Sequence, residues 1–394
     1  MYSTHLRLLV ATVLLAALAS AHVASSIRNG AVKARGVNLG AWLVTEYFMM
    51  PNSPIFQNVS AEKRELGEHV TVTALTRPVA DPLFKAHRDT WITEADIQEI
   101  ASYGLNTVRV PVGWWIYEDP EDPAWQSFSP GGLAYLDNLI NNWAAKANVA
   151  VLVGMHAAKG SQNGEGHSAP PISGESHFTD DAENVYATMQ SALFLMNRYK
   201  ASPAFIGLEM LNEPTVYSDR VYNIDRSKVK LYYKHLYTKL RAICADCVIM
   251  LSPYLSEQYE SFGNEWANIL PAASNNWIDW HKYLIWGYEN WNVNDIINVG
   301  TQWITNDITL WQSKRPTPVF VGEWSLAAAE GILVDLSNAT TMTRYANRAL
   351  QAMSNAKAGW TYWSWKIDSS DWRTFGWNMQ SLLRKGIIKL NGFV

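Results

Sequence analysis

The sequence predicts an eight-stranded parallel β/α barrel. Three observations carry that prediction: eight short apolar runs, helical segments alternating with them, and no Pro-, Gly- or Ser-rich linker dividing the chain. The runs are Val32–Gly40, Asn106–Val112, Val149–His156, Phe205–Glu213, Val248–Pro253, Trp277–Leu284, Val319–Ser325 and Trp360–Lys366. Between them, Leu133–Lys146, Asp181–Tyr199, Ser227–Ala242 and Thr341–Ala356 repeat apolar residues at three- and four-residue spacing, the period of a helix packed on one face. A doubly wound open sheet is the rival, but no run is followed by a Gly-x-Gly-x-x-Gly phosphate turn. Two connections exceed simple links, Thr45 to about Thr93 and Ala157 to about Asp180. Both follow the C-terminal end of a strand, the barrel face on which long loops shape pockets.

The N-terminus reads as an address. Arg7 precedes an apolar run from Leu8 to Leu18, and Ala19-Ser20-Ala21 is a small-x-small cleavage site. Residues 1–21 are therefore expected to be a signal peptide, leaving 22–394 as one secreted barrel domain. An uncleaved N-terminal anchor is the alternative. The run is too short for a membrane span of about 20 apolar residues, and no later segment is long and apolar enough. The two cysteines, Cys244 and Cys247, follow a helical segment and precede a strand. A redox motif would open a helix, and a zinc cage would need a second pair. A local disulfide in an oxidising compartment is the expected state. Asn58-Val-Ser60 and Asn338-Ala-Thr340 are N-glycosylation patterns for a eukaryotic host.

Composition narrows the ligand. Of 394 residues, 48% are hydrophobic and 17% charged, with a net charge of −4, which excludes a disordered chain and a basic nucleic-acid binder. The 19 Trp outnumber 18 Tyr and 11 Phe. A ring with a broad apolar face and one polar edge suits amphipathic rings such as sugars.

The fourth run closes on Asn212-Glu213-Pro214 and the seventh on Gly322-Glu323-Trp324. Strands four and seven stand on opposite sides of an eight-strand ring, so Glu213 and Glu323 face each other across its mouth. Facing carboxyls suit glycosidic cleavage, one as proton donor and one as nucleophile or base. A helix cap or surface ion pair explains either Glu alone, but not both at these strand ends.

These motifs resemble those of family 5 glycoside hydrolases, and more of the chain resembles the exo-β-1,3-glucanase branch. The matching segments are Arg35-Gly-Val-Asn-Leu-Gly-Ala-Trp-Leu-Val, Gly104 through Trp115, His156 with Gly160-Ser-Gln-Asn-Gly164, His281-Lys-Tyr283, and Gly359 through Lys366. They lie in order on successive strands from about residue 33 to 377. The resemblance implies Glu213 as acid/base, Glu323 as nucleophile and net retention of configuration. It also implies Asn212 on the sugar 2-hydroxyl and His156 and His281 on other hydroxyls or orienting Glu323. Tyr283 would bond the nucleophile, Glu46 would meet sugar hydroxyls, and Trp363 would be the stacking platform. Trp365 is expected to fill core. Arg109, inward on strand two, is expected to keep Glu323 ionised, whose charge would keep Glu213 protonated; a buried pair of Arg109 with Glu209 is the alternative.

Two departures stand out. The branch holds its leaving-side sugar in an aromatic clamp, and this chain keeps one ring as Trp286 but has Glu165 at the other. Lys159 also stands where proline is usual. Leaving-side and linkage preference are what these changes leave open. The expected function is a secreted, monomeric, retaining exo-β-1,3-glucanase acting on β-glucan. It is expected to have no cofactor, metal, nucleic-acid partner or membrane span. The alternatives are a β-1,6- or endo-acting relative, or an inactive wall-binding lectin.

Overall fold

The structure, a computed structural model, describes residues 22–393; the predicted signal segment lies outside them. Eight strands, β1 (Ala34–Asn38), β2 (Thr107–Gly113), β3 (Ala150–Ala157), β4 (Phe205–Glu209), β5 (Val248–Leu251), β6 (Asn276–Lys282), β7 (Val319–Trp324) and β8 (Gly359–Tyr362), close into a parallel barrel in chain order. Each predicted run overlaps one strand. The fourth is shorter than its run. Its ladder ends at Glu209, and Met210–Pro214 continues beyond it, held by Met210 N–H to Met250 O and Asn212 N–H to Met155 O at 2.9 Å each. Glu213 thus stands on the rim with a left-handed φ of 43°, not within the strand.

All four predicted helices form. The first is interrupted: Gly132–Asn138 passes through a π-helical turn at Leu139–Trp143 into Ala144–Ala147. The others are Ala182–Tyr199, Arg226–Ile243 and Ala339–Met353. The first long connection is itself largely helical, with Glu68–Leu75 and Arg77–Trp91. Glu94–Ser102 follows behind a capping box in which Thr93 and Asp96 satisfy each other's backbone N–H. Asp96 also accepts from Trp365 Nε1 at 2.9 Å and from Lys366 Nζ at 3.0 Å, so Trp365 fills core as expected. Cys244 and Cys247 are joined as a disulfide at the N-terminal end of β5, the face opposite the mouth. Asn58 and Asn338 are exposed, and Asn338 caps the helix Ala339–Met353. Among the described residues no helix is long and apolar enough to cross a membrane.

Two details of register position the mouth. Between β6 and β7 the pairing passes from Trp280–Val321 to His281–Glu323, skipping Gly322, a bulge that turns Glu323 toward His281. Only glycine fits at the skipped position, because a Cβ there would lie 2.3 Å from Asp279 Oδ1. Asn38 of β1 then ties the ring shut: its Nδ2 donates to Gly322 O at 2.8 Å and Tyr362 O at 3.1 Å.

Candidate active site

Arg109 on β2 is the hub beneath the mouth. Its Nε donates to Glu209 Oε2 at 2.9 Å and its Nη2 to Asn212 Oδ1 at 2.5 Å. Nη1 reaches Asn38 Oδ1 at 2.8 Å and Glu323 Oε1 at 3.0 Å. Both sequence readings of Arg109 therefore hold at once, the pair with Glu209 and the contact with Glu323. Its expected place among sugar-contacting residues needs correction: the side chain is 0% exposed and its donors are spent on protein groups, so it positions Asn212 and Glu323 from below. Burial acts to lower the guanidinium pKa, and Glu209, Glu323 and Asp279 outweigh it, leaving it raised. Replacing Arg109 by Met strands these buried carboxylates, so R109M is expected to lose about 3–5 kcal/mol of stability by thermal or denaturant unfolding.

Above the hub, Glu213 and Glu323 converge on His281. The closest ligand atoms of the three all lie within 4.8 Å of one another. His281 Nδ1 donates to Glu213 Oε1 at 2.5 Å and lies 3.4 Å from Glu323 Oε2, while its Nε2 donates to Asp279 Oδ2 at 2.9 Å. Tyr283 Oη donates to Glu323 Oε2 at 2.9 Å. Asp279 and His281 share a face because side chains two apart on a strand point the same way.

These contacts move the proton expected on Glu213. Burial would lower the His281 pKa, but Glu323, Asp279 and Glu213 raise it well above the ordinary value, so the ring is an imidazolium. Burial lifts Glu213, but the charge and hydrogen bond of His281 outweigh it and hold that carboxyl low. Glu323 stays raised, by burial and by the Glu213 charge, against His281 and Arg109. The proton expected on Glu213 therefore rests one hydrogen bond behind it. The expectation considered the carboxylates and Arg109 but not the buried Asp279–His281 pair.

A pH prediction follows from His281. Its folded pKa lies above the unfolded value, so its contribution to stability is complete below about pH 6.5 and fades as pH rises through the raised value. The alkaline limb of kcat/KM should likewise fall above pH 6.5. In H281N it should move downward, because two carboxylates alone retain the proton less well; an unmoved limb would refute this.

The cavity over these groups measures about 670 Å³. Glu46, His156, Trp363, Tyr283 and Trp286 line it with both glutamates, as the sequence predicts. Glu46 Oε1, both ring nitrogens of His156 and Asn212 Nδ2 are buried without a hydrogen-bond partner among the described residues. Unpaired buried polar atoms are costly, so such a cluster beside a cavity points to a ligand rich in hydroxyls. Burial, then the charges of Glu323 and Glu213, raises Glu46 well above the carboxylate range, leaving a neutral acid able to donate. Burial first, with neighbouring positive groups, lowers His156 and keeps it neutral. Trp363 lies parallel to the His156 ring, centroids 5.5 Å apart. Trp286, 67% exposed, pairs at nearly a right angle with Tyr283 and lines the cavity.

Several cavity residues were not singled out by sequence reasoning. His167 Nε2 lies 3.3 Å from Glu213 Oε2, and Tyr217, Tyr259, Phe48 and Trp377 complete the walls. His167 stands in the departing loop, and nothing in its local pattern marks it as a neighbour of Glu213. Tyr217 and Tyr259 come from loops, and Phe48 and Trp377 from short 3-10 turns, none of them with a periodic pattern. Asp279 did leave a signal, its two-residue spacing from His281.

Residues 70–369 match the cellulase family, glycosyl hydrolase family 5. Glucan endo-1,6-beta-glucosidase B of Emericella nidulans is 29% identical over 371 residues, 90% of this chain and 85% of that protein. Probable glucan 1,3-beta-glucosidase A of Aspergillus fumigatus is also 29% identical, over 91% of this chain and 87% of that protein. Among solved structures, rutinosidase from Aspergillus niger superposes with a TM-score of 0.76 at 20% identity, covering 91% of this chain and 99% of the other, a likeness of fold.

Proposed function

Because the chain belongs to glycosyl hydrolase family 5, we propose that it is a secreted, retaining β-glucan hydrolase acting as an exo-β-1,3-glucanase. The observation that carries the reading is the convergence of Glu213 and Glu323 within 4.8 Å, beside a cavity with unpartnered polar groups. Carboxyls about 5–5.5 Å apart suit double displacement, whereas an inverting pair stands wider to admit a water. Glu323 attacks the anomeric carbon, fixed by Arg109 and Tyr283. Glu213 takes the proton from His281 across their hydrogen bond and passes it to the glycosidic oxygen. As Glu323 becomes an ester its charge disappears, and Glu213, now ionised, can draw a proton from water for the second step. Glu46 and His156 hold hydroxyls of the reacting sugar, with Trp363 against its face.

A second reading is endo-β-1,6 action. It is favoured by the relative of that name at equal identity and by Glu165 in place of a clamp ring. Product time courses on β-1,3- and β-1,6-glucans separate the two. Exo-β-1,3 action releases glucose from laminarin from the first minutes. Mixed oligosaccharides from a β-1,6-glucan, with laminarin untouched, would replace that reading by the second.

A further inference from the structure

The loops beside Glu213 build a polar wall at the position where Glu165 departs from an aromatic ring. Glu165 and Tyr217 both line the cavity with Glu213. Arg220 joins them: its Nη2 donates to Glu165 Oε1 at 2.5 Å and its Nη1 to Asn163 O at 2.7 Å. The same guanidinium lies 3.9 Å from the centre of the Tyr217 ring. Glu165 is held from behind, its N–H donating to Asn163 Oδ1 at 2.9 Å. Asn163 in turn donates to Glu213 O at 3.1 Å, so the wall and the acid share one support.

Resting on the reading above, we propose that Glu165, Arg220 and Tyr217 form a binding site for the leaving-side sugar that selects a hydroxyl-bearing saccharide. Glu213 protonates the leaving oxygen, so the groups beside it flank the departing sugar, while Glu46, His156 and Trp363 flank the reacting one. A carboxylate has about four acceptor positions, and Arg220 Nη2 takes one. The others accept sugar hydroxyls, and the guanidinium, stacked on Tyr217, holds the carboxylate in place. The pair is neutral as a unit, which suits an uncharged polyol. The exposed ring of Trp286 supplies the apolar contact on the same sugar. An aromatic leaving group offers the carboxylate no donor.

The test compares two substrates, laminaribiose and 4-nitrophenyl β-glucoside, in the wild type, E165A, E165Q and R220Q. Loss of a charge-assisted hydrogen bond predicts a fall of about 10-fold or more in kcat/KM for laminaribiose, with the aryl glucoside changed less than about twofold. Equal losses on both substrates, or no loss on either, overturn the proposal while leaving the catalytic reading intact. A wild type that cleaves neither substrate fails the catalytic reading instead. Calorimetric binding of laminaritriose then still decides the site: about 10-fold weaker affinity in E165A supports it, and unchanged affinity overturns it.

Discussion

Glu323→Gly is expected to lower turnover of activated β-glucosides by about ten-thousand-fold or more, the scale of loss when a covalent nucleophile is removed. The fold should persist, because Arg109 keeps Glu209, Asn38 and Asn212 as partners. Azide should then occupy the space of the missing carboxylate and restore reaction with a dinitrophenyl glucoside. It attacks from the face that Glu323 held, so the glucosyl azide has inverted configuration. Retained activity without azide, or a glucosyl azide of retained configuration, would remove Glu323 from the nucleophile's role. Product configuration by proton NMR reads the result directly.

Glu213→Ala is expected to have an effect that depends on the leaving group. With a glucose or alkyl leaving group, losing the general acid should cost about 100- to 10,000-fold in kcat/KM. With dinitrophenolate, which departs without protonation, kcat/KM should change little. The second step loses its base, so the glucosyl-enzyme accumulates and a burst of dinitrophenol precedes slow turnover. Azide, which needs no base, should relieve that block and give a product of retained configuration. Equal losses for both leaving groups would assign the proton to another residue, with His167 at 3.3 Å and His281 at 2.5 Å as the neighbours to examine.

The barrel was legible because a parallel strand covered on both faces must be apolar almost throughout. Val149 to His156 and Val319 to Ser325 can hardly be read otherwise. The helices over 68–102 were less visible. Their only crisp start signal is Thr93 with Asp96, and Pro82 inside the second helix argues locally against one. In the site, residues on the strands or directly after them were recoverable from position: Arg109, His281, Tyr283 and Glu323. The proton balance was not, since it depends on a bulge at Gly322 that places Glu323 beside His281 and on Asp279 buried behind it. The polar wall was legible only as a departure. Glu165 was visible in the sequence, whereas its partner Arg220 lies 55 residues away on another loop.

Asn38 gives the enzyme a built-in order of assembly. It stands on the first strand, yet its carbonyl partners lie 284 and 324 residues later, on β7 and the last strand. Its side-chain oxygen also receives Arg109, so the setting of the nucleophile depends on the two ends of the barrel meeting. Contacts this distant in sequence form late, after the intervening chain has condensed. A chain short of β8 thus carries both glutamates but lacks the Tyr362 carbonyl that helps fix Asn38 beside Arg109. The support beneath Glu323 is therefore complete only when the first strand meets the last.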